Sequence, residues 1–204
     1  MNFFKIISLG AIVLLTSSGC ENGTIEPEQL VEISDSDLDG LKFMREEEKL
    51  ARDVYISLFE MYDNQVFNNI SNSEQSHMDN MLELLVYFGA DDPALEDNGK
   101  FANEALQQLY DDLMAQGSIS EIDALLVGAT IEDVDIRDLD LFILETQDEK
   151  IIEAYNFLNC GSRNHMRAFV SRLSDLGVTY TPQFITQEQF DSIIVGDKEK
   201  CGQI

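Results

Sequence analysis

From residue 34 onward apolar positions recur at steps of three and four, the period of helices that bury one face, and no stretch alternates as a half-buried strand would. Start signals in Ser34 to Asp39 open a helix to about Met61, with Leu41, Met44, Glu48, Ala51, Tyr55 and Leu58 on its inward stripe. A turn at Asp63 and Asn64 leads to a second helix, about Val66 to Phe88, ending at Gly89. Its stripe is Phe67, Ile70, Glu74, His77, Met81, Leu84 and Phe88. After the loop 91–100, a short helix over about Asn103 to Gln116 turns Leu106, Leu109, Tyr110 and Leu113 inward.

Ser120 is the expected N-cap of the third long helix, with the stripe Leu125, Gly128, Glu132, Asp135, Leu139 and Phe142. The last long helix starts after Thr146 to Asp148, and its stripe runs Tyr155, Leu158, Ser162, His165, Phe169, Arg172, Leu176. A capping box from Thr186 to Gln189 announces a short terminal helix docked by Phe190, Ile193 and Ile194. The pattern predicts an all-α four-helix bundle, with an extra short helix between the second and third core helices and a short C-terminal helix.

The four long stripes share one anomaly: each is interrupted by polar residues. A carboxylate in a bundle core is costly, and several in one layer repel one another. A metal pair compensates all of them at once. Glu48, Glu74, Glu132 and Asp135 offer oxygens, and His77 and His165, the two histidines of the chain, offer nitrogens. Because 39 of 204 residues are acidic, a single carboxylate on a stripe carries little weight, and a hydrated acidic face with two structural histidines is the alternative. Glu74-x-x-His77 puts two donors on one helix face, and the coincidence of four interrupted stripes favours metal.

The formal charge of −26 sets the field of the whole molecule, which repels nucleic acid and attracts cations. Residues 1–19 read as a secretory signal, with Lys5 before an apolar stretch and Ser17, Ser18 and Gly19 leading into Cys20. That ending resembles a bacterial lipoprotein signal and implies lipidation of Cys20, membrane anchoring and a cell-envelope location; ordinary cleavage would leave Cys20 a free thiol. Residues 20–34 then form an acidic spacer, and 35–204 the helical domain. Cys160 and Cys201, 41 positions apart, are a candidate disulfide in such a compartment, or two separate thiols.

The phrases MREEEKLARDVY, SEQSHMD, EDVDIRDL and GSRNHMRAF, with Glu48, Glu74-x-x-His77, Glu132-x-x-Asp135 and His165 inside them, resemble the ferritin-like superfamily of rubrerythrin-type di-metal carboxylate domains. Within it they are most similar to a family known as domain of unknown function 2202, over about Leu41 to Ile194. The resemblance implies two metal ions, iron or manganese, with Glu48, Glu74, His77, Glu132, Asp135 and His165 as ligands. It implies redox chemistry with peroxide, oxygen or Fe²⁺, such as a peroxidase or ferroxidase would perform; a metal-holding or metal-sensing protein without turnover is the other expectation. Ser162 stands where the pattern has a carboxylate, so either Asp135 compensates or one metal position has fewer protein donors than the other. Tyr55, two turns from Glu48 on the same face, is expected to hydrogen-bond a ligand or lend an electron, or else to be a core tyrosine with a satisfied hydroxyl. The chain has no Cys-x-x-Cys pair for a rubredoxin-type iron.

A second metal motif overlaps the first helix. Asp35, Asp37, Asp39, Gly40 and Glu46 match the spacing of a calcium-binding EF-hand loop, although Lys42 stands at an ordinarily apolar position. An acidic helix start accounts for the same residues.

Overall fold

The computed structural model describes residues 32–202. The signal, Cys20 and nearly all of the spacer lie outside the described residues. Six helices follow in order: α1 (Asp35–Tyr62), α2 (Gln65–Tyr87), α3 (Glu104–Gly117), α4 (Glu121–Glu145), α5 (Glu149–Asp175) and α6 (Gln187–Val195). Among the described residues there is no strand, and no helix is long and apolar enough to cross a membrane. The architecture is the expected all-α bundle of four long helices with two short ones.

Local chemistry sets the helix ends. The side chains of Ser34, Asn64, Asn103, Ser120, Asp148 and Thr186 each accept a first-turn backbone N–H, so every helix starts on a side-chain cap. Asp63, at φ 51°, turns α1 into α2 with its own N–H on the Phe59 carbonyl. The principal helix pairs are α1 with α2 and α4 with α5; α3 lies against α1 and α4, and α6 against α5.

The buried stripes follow the expected ones except near helix ends. On α2 Leu85 is buried in place of Leu84, and on α5 the face continues through Met166, Phe169 and Leu173, leaving Arg172 and Leu176 to solvent. A 3.6-residue period drifts away from any strict three-and-four rule over several turns.

The core is divided. One apolar cluster holds Val54, Leu58, Phe67, Leu125, Phe169 and Leu173, with side chains from α3 and α6; the other holds Leu41, Met44, Met81, Leu85, Leu139 and Leu158. Between them Glu48, Glu74, His77, Glu132, Asp135, Ser162 and His165 form a buried polar layer contributed by all four long helices.

Much of the charge on α1 serves the loop 91–103. Arg45 makes a two-pronged contact with Asp92 at 3.0 and 2.8 Å. Glu46 accepts from the backbone N–H groups of Ala102 (2.7 Å) and Asn103 (3.2 Å). Lys49 reaches Asp53 (2.5 Å) and the carbonyls of Asp97 and Lys100, and Asp53 accepts from Gly99 N–H. These contacts overturn the calcium expectation. Asp35, Asp37, Asp39 and Glu46 all lie within α1, where a straight helix points them around the axis and cannot wrap them about one ion. Asp37 is engaged with the Ser34 cap, and Glu46 with the loop that starts α3.

At the other end of the chain, Cys160 and Cys201 form a disulfide with Cα atoms 5.5 Å apart. Arg163 and Arg167 both grip Glu199 beside it, so residues 198–202 are fastened along α5.

Candidate metal centre

Each ligand candidate stands where its helix crosses the polar layer. Glu48 falls one turn after Met44, Glu74 and His77 lie between Ile70 and Met81, Glu132 sits just past Ala129, and His165 lies between Leu158 and Phe169. All five are buried, so their orientation is fixed by packing.

The atoms form two groups, Glu48 with Glu74 and His77, and Glu74 with Glu132 and His165, and within each the three donor atoms lie within 4.8 Å of one another. Glu74 belongs to both. Its Oε2 is 2.7 Å from His77 Nδ1, which is 3.1 Å from Glu48 Oε2. Its Oε1 is 2.9 Å from His165 Nδ1, which is 3.4 Å from Glu132 Oε2. The imidazoles are stacked with centroids 5.6 Å apart. Each group therefore has two carboxylates and one imidazole, with a single carboxylate spanning them. Ser162 offers no carboxylate to either group, and Glu74 is common to both.

Asp135 belongs to neither group. Its Oδ2 is hydrogen-bonded by Ser162 Oγ, and its Oδ1 is buried without a partner. Glu48 Oε1, Glu74 Oε1 and His165 Nδ1 are likewise buried with no aligned hydrogen bond, although the last two are 2.9 Å apart. These close, incompletely satisfied atoms form an arrangement that a bound cation would satisfy. Donors about 2.1 Å from one ion are themselves about 3–4 Å apart, close to the spacings found. The buried Glu and His groups fit a metal ion.

Residues behind the donors fix their aim. Tyr55 donates to Glu132 Oε1 at 2.5 Å. His165 Nε2 lies 3.0 Å from Ser73 Oγ. Gly161 packs on the edge of His77, where a Cβ would come within 2.5 Å of Nε2 and Cε1. Ser73 and Gly161 were not singled out from the sequence. Their signals were present, since Ser73 precedes His77 by one helical turn and a glycine inside a helix needs a packing reason.

Without metal the layer holds its charge poorly. Burial pushes Glu48 up to about 7 against the pull of His77, and pushes Asp135 well up with help from Glu48 and Glu47. For Glu74 burial is outweighed by His165 and His77, which hold its carboxyl far below the ordinary range. Burial disfavours the charged form of His165, but Glu74 and Glu132 raise it to about 10.

The two titrations act in the same sense. A carboxyl raised to about 7 destabilises the fold as pH climbs from its ordinary 4.5 through 7. A histidine raised to about 10 adds stability below its ordinary 6.5 and loses it as pH rises through 10. The metal-free protein is therefore expected to lose roughly 10 °C in Tm between pH 5 and pH 8, with less than half that loss when metal-loaded. Calorimetric scans of both forms check this; a metal-free Tm that rises over that range would contradict the charge assignment.

Comparison with known proteins gives the relationships of the chain. The protein named Uncharacterized protein MJ0754, from Methanocaldococcus jannaschii, is 48% identical over 169 residues, covering 82% of this chain and 91% of that protein. The crystal structure of hypothetical protein MJ0754 from Methanococcus jannaschii DSM 2661 superposes with a TM-score of 0.82 at 47% identity, covering 85% of this chain and 99% of that one. Residues 37–197 match the model of the family described as Uncharacterized protein domain (DUF2202), so the whole helical bundle, including both donor groups, belongs to that family.

Proposed function

We propose that this protein is a di-metal carboxylate protein of the ferritin-like kind, holding two iron or manganese ions and acting in redox chemistry with peroxide, oxygen or Fe²⁺. The observation that carries the reading is Glu74, whose two carboxylate oxygens each face a separate imidazole and a separate second carboxylate. Glu48, Glu74 and His77 would hold one ion, and Glu74, Glu132 and His165 the other, with the free oxygen of Asp135 facing the same layer. Mixed carboxylate and imidazole donors suit iron and manganese, and the three carboxylates of the two groups offset most of the charge of two divalent ions.

When bound, such a pair supplies two-electron oxidation and reduction at a site closed to bulk water. The chain's own part is binding, orientation and exclusion. Tyr55 holds Glu132 in place and Ser73 holds His165. The apolar clusters above and below the layer keep water out. Asp135, pushed up by burial and tied to Ser162, is the group suited to accept or release a proton at its free oxygen.

Lipid anchoring at Cys20 and a cell-envelope location belong to the same proposal, supported by the signal-like residues 1–20 and by a disulfide of the kind oxidising compartments favour. The intact mass of the mature protein reads the anchor directly.

The site is tested by anaerobic titration with Fe²⁺ and Mn²⁺ followed by elemental analysis. Two ions bound per chain are expected, and the loaded protein should consume hydrogen peroxide faster than the same amount of free metal. Binding without that acceleration would leave a metal-holding protein, and no binding of either ion would refute the assignment.

A further inference from the structure

A cleft of about 740 Å³ opens between α2 and α5 onto the outer edges of both histidines. Its lining contains no Asp or Glu, in a chain with 39 of them, and does contain Arg167, Arg172 and Lys198. Four other surface cavities each carry at least one carboxylate. Arg167 is paired with Glu199, and Arg172 stands 3.9 Å from Asp175 at the exposed rim, so the cationic character of the cleft rests on Lys198 and the loosely held Arg172.

The floor of the cleft presents donors. His165 gives its Nε2–H to Ser73 Oγ, and that hydroxyl, unlike those of Ser71 and Ser76, is not tied to a carbonyl of its own helix. With its oxygen accepting from the imidazole, the Ser73 hydrogen is free to point into the cleft. His77 is 2% exposed, its Nδ1 is turned to Glu48 and Glu74, and its Nε2 makes no hydrogen bond among the described residues. A metal-bound histidine ordinarily gives its outer N–H to an acceptor, and no residue among the described ones accepts it from His77.

We propose that the α2–α5 cleft binds a small anion through a carboxylate or phosphate oxygen that accepts from His77 Nε2–H and Ser73 Oγ–H, with Arg172 and Lys198 drawing it in at the mouth. The volume suits a small organic anion as well as an inorganic one. Such a ligand does not replace a donor of the metal centre; it sits behind the histidines and strengthens their hold on the ions. The tautomers of His77 and His165, and with them the direction of the His165–Ser73 hydrogen bond, rest on the metal reading.

The test uses protein loaded with Zn²⁺, which leaves imidazole resonances visible, titrated with succinate, acetate and inorganic phosphate while the His77 Nε2–H signal is followed. At least one anion should shift that signal at millimolar concentration, and the comparison of phosphate with succinate identifies the headgroup. Arg172→Glu combined with Lys198→Glu should weaken the binding about tenfold, and Ser73→Ala about fivefold, with metal content per chain unchanged in the charge-reversed variant. No shift with any of the three up to about 50 mM, or a shift that both sets of substitutions leave unaltered, overturns the proposal. Elemental analysis of the same samples reads the metal centre separately, so absence of metal refutes the centre and absence of a shift refutes the cleft.

Discussion

Replacing Glu74 by glutamine should reduce bound metal from two ions per chain to fewer than one and weaken any remaining site by at least about 100-fold. The effect is large because Glu74 serves both donor groups. Glutamine keeps the shape but removes the charge, and it turns an N–H toward one of the two imidazoles that Glu74 now faces. Glu46→Gln provides the control, since that neighbour of the ligand helix is occupied with the loop amides of Ala102 and Asn103 and should leave metal content unaltered. Asp135→Asn should fall between them, because Asp135 lies outside both groups. Two ions retained in Glu74→Gln, measured by elemental analysis after dialysis, would end the bridging assignment.

Asp133→Ala should lower stability by about 4 kcal/mol, or roughly 10 °C in Tm, without changing the metal stoichiometry. Asp133 is fully buried and accepts from Tyr180 Oη (2.8 Å), from the backbone N–H groups of Gln183 (2.5 Å) and Phe184 (3.2 Å) on one oxygen, and from Ile185 N–H (2.9 Å) on the other. Truncation leaves those donors together with no acceptor, and each buried orphan costs about 1–3 kcal/mol before relaxation. Although it follows Glu132 in the chain, Asp133 points away from the donor groups to the segment before α6, which separates the two readouts. A fall in Tm under about 3 °C would mean that the 180–185 segment finds other partners.

The helices were legible because their ends carry local signals. Ser120, Asp148 and Thr186 cap α4, α5 and α6 as their side chains predict, although the Gln189 side chain reaches Asp140 instead of closing the box, and the apolar period carries most of the buried face. Glu48, Glu74, His77, Glu132 and His165 could be read because a polar residue on an apolar stripe is expensive and so conspicuous. Long-range pairing was not legible. Along α1, Arg45, Glu46, Lys49 and Asp53 lie off the inward stripe and read as surface charge, and only their contacts with loop 91–103 show that they are buried and hold that loop. The calcium pattern at Asp35 to Glu46 failed for a related reason: its spacing is that of a loop, but the Ser34 cap and the residues after it favour a helix. Nor could periodicity show that Glu74 faces both imidazoles, since that depends on a rotamer chosen by its neighbours on two other helices.

The polar layer between the two apolar clusters also fixes how the helices align along their length. An all-apolar seam tolerates sliding by one turn, about 5.4 Å, because leucine meets leucine again. Here such a slip of α2 would carry Glu74 and His77 away from Glu48 and His165 and set them against Met81-type neighbours of the adjoining cluster, leaving several buried charges unpaired at several kcal/mol each. The residues that gather a metal thus also act as a vernier for the bundle, selecting one axial registry of four helices whose apolar faces alone would accept more than one.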